Sequence, residues 1–237
     1  MADASARSDA LGRGHRRFTK WRRDGTWDRV HDELRRRVRI RAGRDPEPSA
    51  AVIDAQSIKT SEGGEARAFD AGKRTTGRKR HVIVGTTGLL LVVAVTSASV
   101  QDRAGGRAVL ARLAVGFRTI SLVWADGGYA NSVDSKLLSW ARDALDIVVE
   151  IAKGADDVKG FKVLPRRWVV ERSFGRLVRN RRPARDYERL SATSEAMIKV
   201  AVIRLMLVRL AGQPSRWSHE SHRKTARVKT VEDLIAA

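Results

Sequence analysis

Apolar positions change their spacing twice along the chain, and those changes divide it. From Phe18 onward, Phe18, Trp21, Trp27, Val30, Leu34 and Val38 recur at roughly helical intervals, with Arg and Asp filling the other faces. Gly25 interrupts the series, so the spacing predicts a turn there and a helix from about Trp27 to Arg41. AGRDPEPSA (42–50) has two prolines and no apolar period and reads as a linker. After it the grammar turns to β. AVIDAQSI (51–58) is a short strand with a carboxylate in its middle, and 61–77 is a polar, Gly-rich loop. RKRHVIVG (78–85) and LLLVVAVTSA form a hairpin about Thr-Thr-Gly. The helical period returns over 103–116. TISLVWAD (119–126) is a buried strand, 130–145 an amphipathic helix and 146–152 another strand. A basic, apolar-striped helix runs from about Pro165 to Arg181, proline suiting its first turn. The last long helix, Thr193 to Leu210, is the most apolar segment.

Between residues 51 and 181 the order is β-β-β-α-β-α-β-α. A hairpin followed by alternating helices and strands makes a mixed sheet with helices on its faces. The predicted class is therefore α/β with a ribonuclease H-like mixed sheet, preceded by a short N-terminal helical region. The expected organisation is a disordered end over 1–15, a helical remnant and linker over 16–49, the sheet domain with its C-terminal helix over 50–212, and a basic tail over 213–237.

Composition narrows the partners. The 237 residues hold 47 Lys and Arg against 27 Asp and Glu, a net charge of +20. The excess is concentrated at the end, where residues 161–237 carry 18 basic and 7 acidic side chains, or +11. Such a field attracts polyanions, nucleic acid foremost; the plainer reading is an arginine-rich solvated surface. No cysteine is present, which excludes disulfides, thiolate zinc sites and cysteine nucleophiles. The N-terminus lacks the apolar run of a secretory signal. The longest apolar stretch, Leu89 to Val95, is far short of the roughly 20 residues a bilayer requires. The expectation is a protein of the cytoplasm, associated with the nucleoid and not with a membrane.

Three acids stand out by position. Asp54 lies inside an apolar strand, where an unpaired carboxylate costs several kcal/mol or more. Asp126 ends SLVWAD ahead of Gly127-Gly128, and Glu171 sits on the basic helix in RRWVVERSF. Each has a plain structural reading as well: a turn residue for Asp126, a surface i,i+4 pair with Arg167 for Glu171. Together they have another. The first and fourth strands of such a sheet can lie side by side, bringing Asp54 to Asp126, and the later helix can swing Glu171 over the same edge. Converging carboxylates repel one another and make sense chiefly around divalent cations such as magnesium. Two ions about 4 Å apart suit in-line phosphodiester displacement, one activating a water or 3′-hydroxyl and the other stabilising the departing oxygen.

On these residues the chain resembles an insertion-sequence transposase of the DDE type, in the IS-five branch of the IS-four superfamily. The motifs are AVIDAQSIKT around Asp54, GRKRHVIV and LLLVVAV in the hairpin, VQDR at 100–103, WADGGY around Asp126, GFKVLPRRWVVERSFGRLVRNRR around Glu171, DYERL, and SEAMIKVAVIRLML. The resemblance covers roughly 16–211. It implies Asp54, Asp126 and Glu171 as catalytic and metal-binding residues, magnesium or manganese at two ions per site, and Arg167 as the basic partner of Glu171. It further implies an enzyme that binds terminal inverted repeats, cuts donor DNA and joins the freed 3′ ends to target DNA, as a homo-oligomer on DNA. The chain departs from the pattern at Gly85, Ala55 and Leu164, where Asp, Ser and Tyr are usual. Its helical region before FTKWRRDGTW is short, which suggests a front-truncated copy.

Basic residues near the acids form an expected DNA track: Lys59, Arg78, Lys79, Arg80, Arg166, Arg167, Arg172 and Arg179, with Arg176, Arg181 and Arg182 on the same helix and its end. The planar fork of arginine suits phosphate oxygens. The histidines show no metal-ligand spacing, and no Gly-rich run fits a nucleotide, so no nucleotide cofactor is expected. Two other functions fit the same sequence: a decayed copy that binds DNA without cutting it, and a basic RNA-binding or structural protein.

Overall fold

The computed structural model describes residues 2–130, 136–152 and 168–212, with side chains from residue 12 onward. Six strands form one sheet. They are β1 (Ala50–Lys59), β2 (Ala68–Asp70), β3 (Thr75–Gly85), β4 (Leu90–Ser97), β5 (Leu122–Ala125) and β6 (Val148–Ile151). The helices are α1 (Ala2–Arg23), α2 (Thr26–Arg41), α3 (Asp102–Gly116), α4 (Lys136–Leu145), α5 (Trp168–Val178), the short α6 (Arg181–Ala184) and α7 (Ser191–Leu210).

β4, β3 and β1 pair antiparallel; β5 joins β1 in parallel and β6 joins β5 in parallel. The first strand thus lies in the middle of the order β4-β3-β1-β5-β6, which is the ribonuclease H-like arrangement. The short β2 pairs with Thr75–Gly77 of β3, beyond the part of β3 that β4 covers. Neither β2 nor the start of β3 was expected, since 61–77 reads as a polar loop.

Each face of the sheet buries its own core. Ala51, Ile53, Ile83 and Val123 pack against Val109, Leu110 and Leu113 of α3 and Leu137 and Ala141 of α4. Val52, Val82, Val84 and Val93 pack under Val169, Val170 and Phe174 of α5 and Ile198, Val202 and Met206 of α7, with Val38 of α2 alongside. Alternation along β1 and β3 produces this split, successive side chains pointing to opposite faces. Each fully buried Leu or Val contributes roughly 1.5–3 kcal/mol, so both helical layers are held by apolar burial.

α3 lies very close to β3. A Cβ on Gly105 would fall 2.0 Å from the His81 ring, and one on Gly106 would fall 2.7 Å from Tyr129. Only a residue without a side chain allows that approach.

At the front, Ala2–Arg23 is one helix, where a loose end to residue 15 was expected. The segment is rich in alanine and arginine and has no proline, so helical propensity outweighs Gly12 and Gly14. Gly25, at φ 72°, turns the chain into α2, and Asp24 accepts from the Thr26 amide at 3.0 Å. The Trp27 ring packs edge-on against Trp21, 4.9 Å between centroids. Among the described residues no helix is long and apolar enough to cross a membrane. The expected tail over 213–237 lies outside the described residues.

Candidate active site

β1 and β5 bring the two aspartates together. Their parallel register pairs Ala50 with Leu122, Ala51 with Val123 and Val52 with Trp124. The pairing ends there, two residues before Asp54 on β1 and two before Asp126, which directly follows β5. Alternation gives Asp54 the face of Val52, the one covered by α5. Asp54 is half-buried, and the Ala55 amide donates to its Oδ1 at 2.7 Å. Asp126, also half-buried, caps the short 3-10 turn Gly127–Tyr129, the Gly128 amide donating to its Oδ1 at 2.9 Å.

That turn buries Tyr129, which is 1% exposed, and its hydroxyl has no hydrogen-bond partner among the described residues. Burial pushes the phenol's pKa far up, and the charges of Asp54, Asp102 and Asp126 push it further. Three carboxylates therefore act on one buried hydroxyl. Asp102 opens α3 within the VQDR motif, and no role was expected of it. The Lys79 ammonium holds it at 3.0 Å and reaches Asp70 at 3.3 Å. Asp70 is brought down to about 2, first by the Ser57 hydroxyl at 2.5 Å, with the Lys73 amide and Lys79 adding to the effect. Lys79, Gln101, Asp102, Arg103 and Gly127-Gly128 line an open cleft of about 350 Å³ beside Asp126.

Glu171 is exposed in the first turn of α5, the helix lying over the face of β1 that Val52 and Asp54 share. All the donors are carboxylate oxygens, the kind magnesium and manganese take. Among the described residues, however, no group of three His, Asp or Glu side chains is gathered closely enough to hold a metal ion. Asp54 lies on β1 and Asp126 directly after its neighbour β5, and Glu171 on α5 does not close a coordination group with them.

The expected DNA track divides. Arg78 and Arg80 are corrected: they are 0% and 1% exposed and cannot meet DNA. Arg78 donates to the carbonyls of Glu65, Glu188 and Arg189 and lies 3.3 Å from the buried Asp186. Arg80 donates to the Pro183 carbonyl at 2.7 Å, and burial brings its pKa down to about 10. The reason is that β3 begins at Thr75, so RKR lies inside a strand whose alternate residues face the chain around α6. Lys79 points the other way, is 6% exposed, and lines the cleft beside Asp102. Lys59 is exposed at the end of β1, and Arg179 is exposed past α5. Arg172 is half-buried, its guanidinium 3.9 Å from the Trp168 ring centre. Arg166 and Arg167 lie outside the described residues.

Residues 45–206 match the family model described as Transposase DDE domain. No curated protein matches the chain. Among solved structures, the crystal structure of the catalytic core domain of BIV integrase, crystal form I, aligns at 14% identity. It covers 70% of this chain and 86% of its own with a TM-score of 0.37, a likeness too distant to bear on function.

Proposed function

This chain belongs to the Transposase DDE domain family, and from that premise we propose that it cuts DNA at the ends of a mobile element and joins the freed 3′ ends to target DNA. The parallel pairing of β1 with β5, which ends two residues before Asp54 and Asp126, is the observation that supports the reading. A buried strand tolerates a carboxylate at Asp54 only where something offsets its charge, and a second carboxylate alongside raises that cost unless a cation is shared. Asp54 and Asp126 would hold magnesium or manganese, with Glu171 brought to them from α5. The bound ions would activate the attacking water or 3′-hydroxyl and stabilise the departing 3′ oxygen.

The chain's own groups do the rest. The Ala55 and Gly128 amides orient one oxygen of each aspartate. Lys79 neutralises Asp102 at the rim, so the cleft does not repel a phosphate backbone as strongly as its acids alone would. Lys59 and Arg179 are exposed cations on the accessible surface.

The motifs VQDR, WADGGY and RRWVVERSFGRLVRNRR support the finer assignment to the IS-five branch of the IS-four superfamily. The reaction joins two ends, so at least two copies act together on DNA, inside the cell and without a nucleotide cofactor. The test is nicking of a labelled duplex carrying the element's flanking repeats, with magnesium, by wild type and Asp54→Asn. Wild-type nicking that vanishes in the variant, with duplex binding retained, is expected. Equal nicking by both proteins would overturn the assignment of Asp54, and binding without nicking by both would mark a DNA-binding remnant.

A further inference from the structure

Away from the acids, the ends of α2 and α7 meet the β3–β4 turn around a cavity of about 230 Å³, lined by Arg39, Arg41, Thr87 and Arg209 together with apolar neighbours. Among the described residues no carboxylate lines it, and the Thr87 hydroxyl is buried there without a hydrogen-bond partner. Behind Arg209 stand two more arginines of α5. Arg172 Nε and Arg176 Nη1 are buried and also lack partners among the described residues. Burial brings Arg176 down to about 10, and Arg209, Arg172 and Arg179 lower it further by like-charge repulsion. Arg209 is lowered as well, first by burial. No acid among the described residues contributes to either.

A fold gains nothing by desolvating several cations side by side with nothing to neutralise them. Two of the lining arginines are tied to main chain: Arg39 donates to the Asp45 carbonyl at 2.7 Å, and Arg41 donates to the Leu210 carbonyl. They fix the walls, while Arg209 and Thr87 keep donors to spare. Forked guanidinium donors beside a hydroxyl, with no acid among the described lining residues, are complementary to a tetrahedral oxyanion. We propose that this cavity is a phosphate-binding site, taking either a backbone phosphate of bound DNA or free inorganic phosphate. It goes beyond the proposed activity and does not depend on the acids.

The experiment is thermal unfolding of the full chain titrated with sodium phosphate, against sodium chloride at matched ionic strength. It compares wild type, Arg209→Gln, Thr87→Val and Asp54→Asn, with fluorescence-anisotropy binding of a labelled duplex in parallel. Subtracting the response of the variants removes the general stabilisation that phosphate gives any protein. Wild type and Asp54→Asn are expected to show the same saturable rise in Tm. Arg209→Gln should need at least about tenfold more phosphate, as expected for losing a charged hydrogen bond. In chloride alone Arg209→Gln should match or exceed wild type in Tm, because it relieves repulsion; a purely structural arginine would lower it. Thr87→Val, which alters no charge, should weaken the phosphate response and supplies the answer should Arg209→Gln not fold. If Arg209→Gln also weakens duplex binding and flattens its salt slope by about one counterion, the phosphate belongs to DNA. If duplex binding is unchanged, the site takes the free anion. A phosphate response no larger than that to chloride, or equal in wild type and both cavity variants, overturns the site. Because Asp54→Asn tests the acids separately, a failed cleavage assay leaves this result standing, and the reverse holds too.

Discussion

Replacing Arg78 with Gln separates two roles that the sequence could not. A DNA-contacting arginine would lose affinity and salt dependence on replacement while the fold kept its stability. The structure predicts the opposite. Arg78 is fully buried, donates to the main chain of Glu65, Glu188 and Arg189, and faces Asp186 at 3.3 Å. Asp186 in turn accepts from the Ser194 hydroxyl at 2.7 Å, the Glu188 amide at 3.0 Å and no solvent. Glutamine is too short to reach all of these acceptors and leaves the aspartate buried without its cation. Breaking a buried pair from one side costs about 3–5 kcal/mol, and the orphaned carbonyls keep the estimate near the top of that range. For a domain of this size, about 2–4 °C per kcal/mol gives a fall in Tm of roughly 6–20 °C. Urea unfolding followed by circular dichroism reads the loss directly. Arg78→Gln with Asp186→Asn should cost less than the sum of the two, with a coupling of about 0.5–3 kcal/mol. A stable Arg78→Gln protein with weakened duplex binding and a flatter salt slope would refute the structural assignment and restore Arg78 to the DNA track.

Two further outcomes follow from the contact between α3 and β3. Burial holds His81 down to about 4 from its usual 6.5, with Lys79 and Lys73 adding to the shift and Asp102 opposing it. The unfolded chain therefore takes up a proton first as the pH falls. The stability from this group is complete above about pH 6.5 and is lost progressively down to about pH 4, a change of roughly 3 kcal/mol. Urea midpoints measured between pH 7 and 4 should fall more steeply for wild type than for His81→Gln, and parallel slopes would rule the histidine out. Gly105→Ala should destabilise by about 1–3 kcal/mol despite alanine's better helix propensity, because its Cβ would fall inside the His81 ring; a raised Tm would show that α3 can lift away at little cost.

How legible the protein was depends on the distance over which each feature is decided. The strand AVIDAQSI, the hairpin, the helices over 26–41, 102–116 and 191–210, and the pairing of the first strand with SLVWA all carry local periodicity, and each emerged close to its expected bounds. So did the fold class, because strand order and connection rules leave few ways to arrange such a string. Asp54 was visible because a charge in an apolar strand is anomalous at short range. The two unexpected elements of the site, β2 and the first three residues of β3, have no such signal; their polar residues pair only because β3 extends along β1 as far as Gly77.

Which face a cation takes is decided by register and by what lies across the sheet, and no run of basic residues reveals it. Arg78 and Arg80 point into the layer around α6 and serve carbonyls more than a hundred residues away, while Lys79 between them turns to Asp102. The same distance hid the Arg209 cavity and the buried Tyr129 hydroxyl, since residues at 39, 87, 172 and 209 meet only where α2, α5, α7 and a hairpin turn converge. Hydrophobic spacing is local and therefore written along the chain. Neutralisation of charge is a property of the neighbours, and the neighbours exist only once the chain has folded.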